Sequence, residues 1–122
     1  MPTEKTFASV QLPKPYPPEV EAAIDQVIQR LRDGLRPSRI YLFGSYARRD
    51  HGPESDLDFL VIVPFSDEPR YRRAQQAYRL LHGIGVPKDV LVLNEEEWNR
   101  ERRSGVSLSN VVEQEGILLY EA

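Results

Sequence analysis

The chain has no cysteine. Disulfides and thiolate metal sites are therefore excluded, and any metal must sit on oxygen or imidazole ligands. Long apolar runs are missing too. The longest, Phe59 to Val63, is strand-sized, far short of the ~20 residues a membrane helix needs, so no membrane association is expected. The first ten residues hold no apolar segment of the kind that marks a secretory signal, and a cytoplasmic location is the expectation. An excess of basic charge is also lacking: 16 Lys and Arg stand against 19 Asp and Glu, a net charge of −3. General nucleic-acid binders are usually basic, so no direct nucleic-acid partner is expected. A nucleotide stays open, because a metal can supply local positive charge. What remains is 122 residues with an ordinary soluble balance, enough for one domain with one modest core.

Residues 1–16 read as a tail, with Pro13 and Pro15 favouring an extended path toward Pro17 and Pro18. Residues 17–122 read as the folded domain. A helix starts near Pro18, with Glu19 and Glu21 at its positive end. Val20, Ile24, Val27, Leu31 and Leu35 give it one apolar face, Gly34 marks its stop, and Pro37 prevents continuation. Ile40–Phe43 reads as a strand, and Tyr46–Arg49 as one helical turn. After a Gly52-Pro53 loop, Asp56–Val63 reads as a strand. Its unbroken apolar stretch predicts burial on both faces. Tyr71, Ala74, Ala77, Tyr78 and Leu81 mark a second helix, ended by Gly83 and Gly85. Val90–Leu93 is a third strand. Asn94 with Glu97 forms a capping box for a helix running to about Arg103. Leu108–Gln114 predicts a short helix, and Ile117–Tyr120 a last extended piece. The order implies an α/β or α+β fold: a small mixed sheet with helices packed on it.

Three features carry chemistry. Asp56 and Asp58 flank Leu57, and in a strand such side chains share one face. Two carboxylates so placed repel each other. They suit either a solvated strand start or a cation, and Mg²⁺ favours one or two carboxylates plus substrate phosphates. Gly44-Ser45 follows a strand. It serves as a plain turn, or as a place where backbone and hydroxyl approach a phosphate. Asp89 opens a later apolar strand. It is either a structural end charge, or a further carboxylate able to ligate metal and take a proton.

Together these features resemble a known family. Gly44-Ser45, ten intervening residues, Asp56-Leu57-Asp58, then Asp89 at the mouth of a later strand is similar to the pattern of DNA polymerase beta superfamily nucleotidyltransferases. The words Ile40-Tyr41-Leu42-Phe43-Gly44-Ser45-Tyr46-Ala47-Arg48 and Ser55-Asp56-Leu57-Asp58-Phe59-Leu60-Val61 resemble the minimal nucleotidyltransferases (MNT) in particular, over about residues 18 to 121. The resemblance implies the polymerase-beta-type fold. It implies two Mg²⁺ ions on Asp56, Asp58 and Asp89, with Asp89 as general base and ATP as substrate. Gly44 and Ser45 would hold the β- and γ-phosphates, with Arg48 adding a charged contact. It further implies an antitoxin that transfers AMP to a tyrosine of a HEPN-domain toxin. Arg49 departs from the pattern, which commonly has glycine there.

Two alternatives stand beside that reading: a small-molecule nucleotidyltransferase, and a non-enzymatic antitoxin that acts by occlusion. The first would be expected to bring an added acceptor-binding domain. Other residues read as structural. His51 is a loop histidine, and His82 a charge at a helix's negative pole. Arg70, Arg72, Arg73 and Arg79 form a solvated helix face. Trp98 is a packing anchor, and Arg100 to Arg103 a solvated run.

Overall fold

The structure, a computed structural model, describes residues 16–105 and 107–122. The predicted tail lies outside the described residues except for Tyr16, which is buried in the core. Among the described residues no helix is long and apolar enough to cross a membrane.

The elements follow the predicted order. They are α1 (Pro18–Leu35), β1 (Arg39–Phe43), α2 (Ser45–Arg48), β2 (Leu57–Val63), α3 (Arg70–Leu80), β3 (Lys88–Asn94), α4 (Glu95–Ser104), α5 (Ser107–Glu115) and β4 (Ile117–Glu121). Most boundaries fall within two residues of expectation, the ordinary scatter of element ends. The stop of α1 differs in cause. Gly34 lies inside the helix, where a Cβ would run into the Leu80 side chain, so this glycine serves close packing against α3. The helix ends at Arg36, which takes a left-handed conformation (φ 50°) and returns its N–H to the Arg32 carbonyl. Pro37 then blocks another turn. The α4 capping box forms as predicted, the Asn94 side chain accepting from the Glu97 N–H while the Glu97 carboxylate accepts from the Asn94 N–H.

The four strands form one mixed sheet in the order β3-β2-β1-β4. β1 pairs antiparallel with both β2 and β4, while β2 and β3 run parallel. β2 is central and its apolar residues are buried on both faces, as the unbroken run predicts. Leu57, Phe59, Val61 and Val63 join Ile40, Leu42, Val90 and Val92 under α1 and α3. Leu60 and Ile62 point the other way, joining Leu93, Trp98 and Val112 under α4 and α5. The result is three layers with the sheet in the middle. Trp98 is 1% exposed and anchors the second layer.

The reading of Arg73 is corrected by the structure. Arg73 is not on a solvated face but 6% exposed. Its guanidinium makes a two-point ion pair with Glu97, at 2.7 and 3.0 Å, and donates to the Glu68 and Val92 carbonyls. It tolerates burial because four hydrogen bonds, two of them to a carboxylate, meet its guanidinium there. At the end of α3, the Leu80 and His82 carbonyls are taken by Arg30 of α1, at 3.2 and 2.7 Å. Arg30 thus brings a guanidinium to this pole beside the exposed His82.

Candidate active site

Strand alternation decides where the carboxylates go. Asp58 shares its face of β2 with Leu60 and Ile62, so it lies on the α4/α5 side, beyond the end of that apolar cluster. In the parallel ladder Asp58 is directly opposite Asp89. In the antiparallel ladder it is opposite Phe43, the last residue of β1. The start of β2, the start of β3 and the end of β1 therefore meet at one end of the sheet. Asp56 stands immediately before β2 and has the parity of Asp58. The register thus gathers Asp56, Asp58, Asp89 and the Gly44-Ser45 turn, though 32 residues of chain lie between Asp56 and Asp89.

The electrostatics of this corner are unfavourable as it stands. Burial pushes the Asp58 carboxyl above the usual carboxylate range, and the charges of Asp89 and then Asp56 push it the same way. Arg48 opposes the shift. Two causes of the raised value, burial and like charge, are those a bound cation would offset.

Gly44 closes the other side. Its backbone (φ 80°, ψ −158°) occupies a region essentially restricted to glycine. A Cβ there would run into the Asp58 carboxylate. The chain thus passes against Asp58 with no side chain between them. Ser45 follows and opens α2, whose first-turn N–H groups have no partner within the helix. Arg48, at the end of that turn, pairs with Asp50 at 3.0 Å and with Glu115 at 3.3 Å. Arg49 adopts the left-handed conformation (φ 69°), which suits the glycine that the resembling family carries at this position. Its guanidinium lies over the Tyr16 ring, 5.6 Å from the centroid. His51 is more than a loop residue: it stacks on Tyr46 with centroids 4.0 Å apart. Tyr46 in turn receives the Tyr16 hydroxyl on its carbonyl at 2.5 Å. This cluster braces the turn from behind.

One neighbour of the site escaped the sequence reading. Tyr78, one of the apolar markers of α3, donates its hydroxyl to Asp89 Oδ1 at 2.5 Å. The same hydroxyl accepts the Val90 N–H at 2.9 Å. No local pattern announces this contact, because it depends on how α3 lies along β3.

The donor set fits a hard cation. It is all oxygen, concentrated at a strand end, with a carboxyl whose charge is destabilised in isolation. Among the described residues, no three carboxylate or imidazole groups close around one point. An ion held here would complete its shell with water and substrate oxygens, which is the habit of Mg²⁺ rather than of an all-protein cage.

Comparison with known proteins places the chain in a family. A protein of Methanocaldococcus jannaschii, provisionally named a protein adenylyltransferase, is 33% identical over 102 residues, covering 82% of this chain and 97% of its own length. A second protein of that organism, with the same provisional name, is 36% identical over 62 residues. That match covers 51% of this chain and 59% of the relative, so the aligned part spans less than two thirds of it. Among solved structures, a provisionally named nucleotidyltransferase from Sulfolobus solfataricus superposes with a TM-score of 0.53. It covers 88% of this chain and 90% of that one at 21% identity, and shows the shared fold. A chain from a toxin–antitoxin structure solved with AMP-PNP gives a TM-score of 0.50 at 25% identity, over 80% of this chain and 73% of that one. The family model described as a nucleotidyltransferase domain matches residues 24–119, a span that takes in Gly44, Ser45, Asp56, Asp58 and Asp89, and the chain therefore belongs to the nucleotidyltransferase domain family.

Proposed function

We propose that this chain is the antitoxin of a toxin–antitoxin pair and transfers AMP from ATP to a tyrosine hydroxyl of a HEPN-type toxin in the cytoplasm. The observation that carries the catalytic part is the pairing of Asp58 with Asp89 across the parallel ladder, with Gly44 bare against Asp58. Relatives provisionally named protein adenylyltransferases support a protein acceptor. The toxin–antitoxin neighbour solved with AMP-PNP supports both the partner class and the nucleotide.

In this reading Asp56, Asp58 and Asp89 would hold two Mg²⁺ ions. When bound, Mg²⁺ would supply Lewis-acid charge to the triphosphate and lower the pKa of the attacking hydroxyl, which is about 10 for free tyrosine. Gly44 lets the backbone approach the β- and γ-phosphates, and Ser45 offers them its N–H and hydroxyl. Arg48, exchanging its present carboxylate partners, adds a charge-assisted contact. Asp89 accepts the tyrosine proton as the tyrosine oxygen bonds to the α-phosphorus and pyrophosphate departs. The toxin then carries a phosphodiester-linked AMP, whose bulk and negative charge repel an RNA substrate.

The test is label transfer in a lysate of the native host, with Mg²⁺ and ATP labelled at the α-phosphate. Asp56→Asn and Asp58→Asn variants run in parallel. The expected result is one labelled protein band, seen only with the unaltered chain and absent with γ-labelled ATP. A labelled small molecule without a labelled protein would move the acceptor to that class. No label, from a chain that still binds and silences a toxin, would leave occlusion as the mode of action.

A further inference from the structure

We propose that Tyr78 is a positioning residue for the transfer: its hydroxyl, fixed by the Val90 N–H, pins Asp89 through Oδ1 and leaves Oδ2 alone for the site. This rests on the reading that Asp89 serves the reaction. The direction of the two bonds follows from their chemistry. A backbone N–H can only donate and an ionised carboxylate can only accept. The hydroxyl bridging them, at 2.9 Å from Val90 N and 2.5 Å from Asp89 Oδ1, must therefore point its proton at Asp89.

Asp89 needs such a holder. It is exposed, has rotamer freedom about Cα–Cβ, and its charge and that of Asp58 oppose each other. Left alone, it would swing from the corner where the register puts it. Tyr78 is well placed to prevent that. It sits near the end of α3, between the fully buried Ala77 and the buried Leu81, and Arg30 ties down the carbonyls just beyond it. The hydroxyl is thus mounted on a rigid helix and not on a loop. Tyr78 is 40% exposed, so removing its oxygen costs little packing.

The test is a double-mutant cycle of Tyr78→Phe with Asp89→Asn. AMP transfer is measured on the acceptor labelled above, and Mn²⁺ affinity by water-proton relaxation in the presence of ATP. Tyr78→Phe is expected to lower kcat about tenfold, the usual scale for an outer partner of a functional carboxylate. KM for ATP stays within about twofold, and Mn²⁺ affinity falls about tenfold. In the Asp89→Asn background, Tyr78→Phe should cost nothing more. Wild-type kcat and Mn²⁺ affinity in Tyr78→Phe, beside an inactive Asp56→Asn, would overturn the positioning role and leave the transferase reading standing. Losses that multiply across the cycle would overturn it too, as would AMP found on Tyr78 itself. A wild-type chain that transfers no AMP would sink the functional reading and this role together.

Discussion

Gly44 shows how much of the site depends on one missing side chain. Its backbone lies where essentially only glycine goes, and the space beside its Cα is filled by the Asp58 carboxylate. Gly44→Ala therefore faces two penalties at once. Backbone strain costs roughly 2 kcal/mol, and Asp58 must move aside. The expected outcome is a chain that melts lower yet still folds, with kcat reduced about 100-fold by displacement of the reacting groups. Urea unfolding and AMP transfer, measured on the same preparation, check both parts. Arg49 gives the opposite case. It too is left-handed, but it makes a cation–π contact with Tyr16. Relief of strain by glycine, about 1 kcal/mol, is offset by loss of that contact, ~0.5–1 kcal/mol. Arg49→Gly should leave stability within about 1 kcal/mol of wild type by urea unfolding. Its KM for ATP should stay within about twofold, because Arg48 and not Arg49 is the cation that acts on Asp58. In the sequence, glycine at a strand end and carboxylates two apart marked these positions as candidates, each with a plain structural alternative, and it was the family resemblance that joined them into one site and singled out Arg49.

β3 is an edge strand, and α3 protects its open side. Tyr78 takes the Val90 N–H and Arg73 takes the Val92 carbonyl, two groups an exposed edge would leave unpaired. Arg73 also reaches Glu97 of α4, so one side chain ties the helices of both layers around the sheet edge. Periodicity made the helices and strands readable, but it did not reveal this. Arg73, Ala77 and Leu81 are spaced by four, so Arg73 falls on the buried face. Grouping it with Arg70, Arg72 and Arg79 by charge hid that signal. The pairing of Asp58 with Asp89 could not be read from spacing at all, since strand order and register are decided by distant contacts. Only the family resemblance placed Asp89. Removing one partner of a buried pair strands the other charge. Arg73→Met should therefore destabilise the fold by roughly 3 kcal/mol in urea unfolding. Because α3 also carries Tyr78, the loss should be accompanied by faster exchange of the Val90 amide.

At the scale of the whole molecule, two carboxyls pull stability in opposite directions with pH. The Arg73 guanidinium, bonded to Glu97, lowers its pKa from the ordinary 4.5 to about 2. A depressed carboxyl stabilises the fold above its unfolded value, so that contribution is lost as pH falls from about 4.5 toward 2. Asp58 has the opposite sign. Its raised value means the folded state holds a proton more readily than the unfolded state does. Its favourable contribution is present at low pH and is lost as pH rises through its folded pKa. The ionised form of Asp58 is therefore the form that the fold disfavours at the site. Asp58→Asn removes that charge and keeps the shape. In chelator-treated buffer it should melt above wild type while transferring no AMP. Adding Mg²⁺ and ATP should reverse the order. A ligand that binds only the folded state at 100 times its Kd adds about 2.7 kcal/mol, or about 10 °C for a chain of this size. Wild type should gain that increment and Asp58→Asn little of it. Scanning calorimetry of both proteins, with and without Mg²⁺ and ATP, checks the crossing. If Asp58→Asn melts at or below wild type in chelator, the site does not store the electrostatic cost that a bound cation is argued to relieve.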